Sequence, residues 1–185
     1  MSRIDSLIKR PKRTLGVLAL VLVAVGVAVG TGADFSAQSA NPNNTFTAGT
    51  LTMDNSLDGA AILTANNWAP GDTETGTVDI ENTGSIAGDF SLSRDQLTNS
   101  DNANPMSDQL DLVVEDCGTD ATCGAGDTVV YSGTLTAMNS SINLGNFPAG
   151  VAHRYEFTAT FNSSAGNAYQ GDDTSARFVW DAVQS

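Results

Sequence analysis

Two cysteines, one histidine and three close pairs of carboxylates are the residues of this sequence whose types could carry chemistry. Cys117 and Cys123, in the stretch CGTDATC, are the only cysteines. They are near enough to close a small loop, as a disulfide would in an oxidising compartment. A metal needs more ligands than two thiols, and the lone histidine, His153, lies far along the chain. The disulfide is therefore the expected state; so short a loop pins a local turn and adds modest global stability. Common zinc hydrolases place two histidines one helical turn apart with a glutamate between them, which a single histidine on a predicted strand excludes. His153 is expected at an exposed or edge position rather than as a base. Serines and aspartates are plentiful enough for a Ser/His/Asp arrangement, but no G-x-S-x-G elbow occurs. Asp172 with Asp173, Asp54 with Asp58, and Glu115 with Asp116 offer hard oxygen ligands, yet none has the spacing of a calcium-binding loop. They are expected to be solvated carboxylates, with calcium an open question. No catalytic, cofactor-binding or metal residue is assigned. The sequons at Asn43, Asn139 and Asn162 are weak signals in a chain this rich in Asn, Ser and Thr.

Charge is distributed unevenly. Five of the 8 basic residues precede residue 15, and from Asp34 onward only Arg94, Arg154 and Arg177 remain against 20 acidic residues, a net charge of −17. Three arginines cannot form the basic face that phosphates require, so nucleic acid is not an expected partner. Residues 15–29, LGVLALVLVAVGVAV, carry no charge and follow a basic stretch. A basic start, a short apolar run and then small residues make the three-part pattern of a secretory signal peptide, the run being short of the ~20 residues of a spanning helix. Thr31 and Ala33 suit cleavage between Ala33 and Asp34, the alternative being a site a few residues away. The alternative is an uncleaved anchor over residues 15–33, the one route to membrane attachment.

Beyond this segment the sequence reads as short strands separated by turns, with no long 3.6-residue apolar period. Strands are predicted at residues 46–53, 76–81, 89–93, 110–115, 128–135, 152–161 and 175–183. In AHRYEFTATF, Tyr155, Phe157, Ala159 and Phe161 share one face; in SARFVWDAV, Ala176, Phe178, Trp180 and Ala182 do. APGD at 69–72 suits a type II turn, and ENTGS at 81–85 supplies Asn and Gly for positive φ. Residues 98–108, TNSDNANPMSD, read as a long exposed polar loop. The expected fold is all-β, an antiparallel sandwich whose core comes from alternating positions of two sheets.

Taken in order, GADFSAQSANPNNTFTAGTL, WAPGDTETGTVDIENTGSIAGDFSL, LGNFPAGVAHRYEFTATF and NAYQGDDTSARFVWDAVQ resemble the TasA/camelysin family of secreted proteins with SipW-type signal peptides. The resemblance rests on Asp34-Phe35-Ser36, on Phe46, Gly49 and Leu51, on Pro70-Gly71-Asp72 with Ile80, Asn82 and Gly84-Ser85, and on Tyr169-Gln170-Gly171. It implies a jelly-roll β-sandwich over residues 46–185, behind a signal peptide at 1–33 removed by a SipW-type peptidase. It also implies that the flexible segment 34–45 is a candidate donor strand. Phe35 is either that strand's anchor or a recognition residue for the peptidase. A donated strand adds backbone hydrogen bonds to an open sheet edge, and a head-to-tail contact of this kind propagates as a filament.

The resulting expectation is a non-enzymatic, secreted structural protein of extracellular matrix or cell-surface fibres, assembling with itself. The rivals are a camelysin-like metalloendopeptidase and a monomeric adhesion or binding module. High negative charge opposes stacking unless salt or divalent cations screen it.

Overall fold

Alternation of apolar and polar residues becomes eight antiparallel strands among the described residues. The computed structural model describes residues 47–120 and 122–185, together with Lys12, Leu15, Gly16, Ala19 and Leu20, which are helical. Ala33, Asp34, Phe35 and the segment 34–45 lie outside the described residues, as does Phe46. The chain divides into two units, Met1–Phe46 and Thr47–Ser185, one residue past the expected start of the folded body. Among the described residues, no helix is long and apolar enough to cross a membrane.

The strands are β1 (Met53–Asn55), β2 (Thr73–Asn82), β3 (Gly88–Asn99), β4 (Leu110–Asp116), β5 (Thr128–Thr134), β6 (Ile142–Phe147), β7 (Ala152–Phe161) and β8 (Thr174–Gln184). One sheet has the order β1-β2-β7-β4-β5, the other β6-β3-β8. The expected all-β, antiparallel architecture is what forms. Side chains on a strand alternate between faces, and on β7 the inward set is Tyr155, Phe157, Ala159 and Phe161, all buried. Val78 and Ile80 of β2, Phe90 and Leu92 of β3, Leu112 and Val114 of β4 and Trp180 of β8 complete a shared core. Aromatic rings meet across it: Tyr155 and Trp180 lie 4.9 Å apart between centroids, Phe157 and Phe178 4.8 Å.

The outward face of the larger sheet is polar. Asp79 and Arg154 are register partners on β2 and β7, and the guanidinium grips the carboxylate with two bonds of 2.7 and 2.8 Å. This hydrogen-bonded arginine holds the Asp79 carboxyl below its ordinary value. Arg177 and Asp95 repeat the arrangement between β8 and β3. Arg94 instead donates to the carbonyls of Met138 and Thr136, tying the turn after β5 to β3.

Asn82 forms the tightest polar clasp. It is fully buried at the end of β2, and its Nδ2 donates to the Ile86 and Phe147 carbonyls, each at 2.9 Å. Its Oδ1 accepts from the Gly84 amide. One side chain thus fixes the β2–β3 connection against the end of β6. The sequence reading expected positive φ in this turn, but neither Asn82 nor Gly84 adopts it. Gly84 is required for another reason: a Cβ there would lie 2.3 Å from the Thr50 carbonyl oxygen and 2.9 Å from Leu51 Cα.

Four other expectations change. Residues 47–52 are not a strand, and β1 begins only at Met53; Ser85 and Ile86 donate to the Thr50 carbonyl instead of forming a ladder. Residues 98–108 are not wholly exposed: Thr98 and Asn99 end β3, and Ser107 is fully buried, with its hydroxyl 2.7 Å from that of Thr136. β6 was not anticipated, because a register shift opposite Phe90/Ser91 and positive φ at Gly145 break its alternation. His153 stands on β7, an interior strand, and is treated below. The Pro70-Gly71 turn forms as expected, with φ of 96° at Gly71 and the Asp72 amide donating to the Ala69 carbonyl.

Replacing Asn82 by Ala strands the buried Phe147 carbonyl, the partly buried Ile86 carbonyl and the Gly84 amide. Urea unfolding is expected to show a loss of roughly 2–4 kcal/mol, against under about 0.5 kcal/mol for Asn139→Ala on the exposed surface.

Candidate functional site

Two regions unite the residues that sequence reasoning singled out. The first is the corner where β4, β6 and β7 end. Asp116, the last residue of β4, faces His153 near the start of β7, and His153 Nδ1 lies 3.0 Å from both carboxylate oxygens. A carboxylate only accepts, so Nδ1 carries the proton and donates. The imidazole also stacks on Phe147, 4.3 Å between centroids, and Phe147 stacks on Phe90. His153 is therefore a partly buried ring locked by a carboxylate and an aromatic face, not an edge residue. Asp116 is not the solvated carboxylate expected beside Glu115, because it is committed to His153 and to the Gly118 amide.

Beside this pair the Tyr155 hydroxyl is fully buried and makes no hydrogen bond of good geometry among the described residues. Burial, and secondarily the negative charge of Asp116, hold the phenol well above its ordinary value of 10.0. The next residue, Cys117, is joined to Cys123 as expected, and its amide donates to the Arg154 carbonyl. The staple thus fastens the chain leaving β4 alongside β7.

Among the described residues, one group of three potential ligands lies close enough to share a metal: Cys117, Cys123 and Asp127. Asp127 was not among the residues singled out from the sequence. The group does not fit a catalytic zinc, because both sulfurs are bonded to each other and cannot act as thiolates, leaving one carboxylate. The pairs Asp54/Asp58 and Asp172/Asp173 join no such group among the described residues.

The second region is the set of sheet edges. Among the described residues, four strands have a neighbour on one side alone: β1, β5, β6 and β8. They hold 3, 7, 6 and 11 residues, so β8 presents by far the longest edge. Natural edges are usually blunted by proline, lysine, bulges or short length. β8 has no proline or lysine, its one arginine is tied to Asp95, and Val183 near its end is exposed. Pairing with β3 is continuous from Gly88↔Gln184 to Asp95↔Arg177. The sequence identified this strand but could not show that, among the described residues, β3 is its one neighbour.

A family model described as camelysin metallo-endopeptidase matches residues 8–110. The matched stretch runs through β1 to β3 and the Asn82 clasp, and ends before the Asp116–His153 corner and the disulfide. Comparison with curated proteins finds no match. A solved structure with some likeness is that of Spo0M, a sporulation control protein from Bacillus subtilis, at 13% identity and a TM-score of 0.26. The alignment covers 75% of this chain and 49% of that one, so the chain spans about half the length of Spo0M.

The buried phenol yields a test. Tyr155→Phe removes a hydroxyl that makes no good bond, so stability at pH 7 is expected to change by less than about 1 kcal/mol. Above pH 10 the unfolded chain ionises at this position while the folded chain does not, so the wild type loses stability with rising pH. Tyr155→Phe lacks that loss, and thermal unfolding at pH 7 and pH 11 would show it gaining on the wild type.

With more than half of its residues covered by the family model, the chain belongs to the camelysin family, to which its TasA-like motifs also point.

Proposed function

We propose that this protein is a secreted, non-enzymatic structural subunit that assembles into extracellular matrix or cell-surface fibres by strand addition at β8. The observation that carries this reading is the 11-residue open edge of a three-stranded sheet. In an eight-strand jelly roll the first strand lies beside the last. Here β1 is short and bonded to β2, so among the described residues the place beside β8 is vacant. A strand from a second copy would complete the sheet through backbone bonds, with alternating side chains setting register. Segment 34–45, released by cleavage between Ala33 and Asp34, is the proposed donor, and Phe35 its apolar anchor.

The contact is heterologous, since donor segment and acceptor edge are different surfaces of one chain, and such contacts propagate rather than close. Secretion fits the leader-like N-terminus, the disulfide and the family. Self-association and processing by a SipW-type peptidase belong to the same reading. The net charge of −17 after the leader makes assembly salt-dependent, because repulsion between copies must be screened. Proteolysis, the activity in the family's description, is the competing reading.

Electron microscopy of forms beginning at Asp34 and at Phe46, at low and high salt, tests the proposal. Filaments are expected from the longer form alone, and more readily in high salt. Filaments from the shorter form would remove the donor role from 34–45, and no assembly by either would favour a monomeric surface module. The same preparations should leave casein intact; cleavage abolished by a chelator would overturn the non-enzymatic assignment.

A further inference from the structure

A groove of about 850 Å³ opens between the two sheets, away from the Asp116–His153 corner. Its size falls within the range of ligand clefts, about 300–1,000 Å³. The irregular segment before β2 forms one wall, and the stretch leading into β8 the other. Leu112, Phe161 and Phe178 supply apolar surface from both sheets.

The polar groups around this groove are left over from folding. Trp68 and Tyr169 line it and are partly exposed, and neither the indole N–H nor the phenol O–H makes a hydrogen bond among the described residues. Buried Trp and Tyr ordinarily satisfy these groups, and partly exposed ones recur where a surface meets a partner that is apolar in one part and polar in another. The side-chain amides of Asn67, Asn167 and Gln170 also line the groove, are exposed, and bond to no other described side chain or backbone group. Amides both donate and accept. Among the described residues no Lys, Arg or His lines the groove, whereas Asp172 and Asp173 do.

We propose that the groove binds an uncharged oligosaccharide chain. A pyranose ring has an apolar C–H face that packs on an aromatic ring, and a rim of hydroxyls that needs mixed donors and acceptors. Trp68 and Tyr169 match the first requirement; the three amides match the second. The two aspartates, with no cationic side chain among the described lining residues, disfavour anionic glycans, nucleotides and phosphates. This inference is independent of fibre assembly, because it uses the space between the sheets and not the outer edge of β8.

The test is titration of the full chain with neutral probes, cellohexaose, maltohexaose and mannohexaose, and with an oligogalacturonate as the anionic comparator, read by calorimetry and tryptophan fluorescence. Trp68 is one of two tryptophans, and Trp180 is buried, so a fluorescence change reports mainly on the groove. At least one neutral probe is expected to bind. Tyr169→Ala should weaken it tenfold or more, with Asn143→Ala on β6 having no effect. Should Tyr169→Ala fail to fold, Gln170→Ala, at an exposed position, is expected to weaken binding at least threefold with unchanged thermal unfolding. Failure of every neutral probe to bind, equal binding of oligogalacturonate, or full affinity in folded Tyr169→Ala and Gln170→Ala variants would overturn the proposal.

Discussion

Burial of one face of β7 is the constraint on which this structure depends. The strand is bonded to β2 on one side and β4 on the other, and Tyr155, Phe157, Ala159 and Phe161 enter the core at every second position. A slip of one residue would turn all four to solvent and bring Arg154 and Glu156 inward, so the register is strongly fixed. Asp79 and Arg154 then meet on the outer face as a consequence of that register. The second sheet is held by the same core, through Phe90, Leu92 and Trp180.

What the core does not do is fill every strand position. Between β1 and β2 the chain runs without regular structure, yet Leu57, Ile62, Leu63 and Trp68 pack against the buried cluster. Gly76 makes this possible: a Cβ there would stand 2.0 Å from the Ile62 carbonyl oxygen. Side chains of an irregular segment therefore cover apolar surface without supplying the backbone ladder that a strand would bring. β8 keeps its inward face covered and its outer edge open, a combination suited to strand addition with little rearrangement of the core. The same segment forms one wall of the groove, linking the two functional readings to one local departure from regular sheet.

Where local pattern and tertiary burial agree, the sequence was readable. β2, β7 and β8 alternate cleanly, and Pro70-Gly71 dictates its turn, so these elements and the all-β class were visible. The Cys117–Cys123 bridge was legible because two cysteines stood alone and close together. Other features depend on partners distant in sequence. Ser107 is buried because Asn99 and Thr136 bond it, and no property of TNSDNANPMSD announces that. His153 looked like an edge residue until β4 brought Asp116 beside it and β6 brought Phe147. β6 itself was hidden by its glycine and its register shift. The open edge at β8 and the groove are properties of strand order, which periodicity along one strand does not encode.

Amide hydrogen exchange along Thr174–Gln184, compared between monomer and assembled protein, tests the central claim most directly. One set of alternate amides in β8 bonds to β3; the other faces outward and has no partner in this sheet. The account predicts rapid exchange of the outward set in the monomer and strong protection after assembly, with the β3-facing set protected throughout. Unchanged exchange in β8, with new protection in β5 or β6 instead, would contradict it.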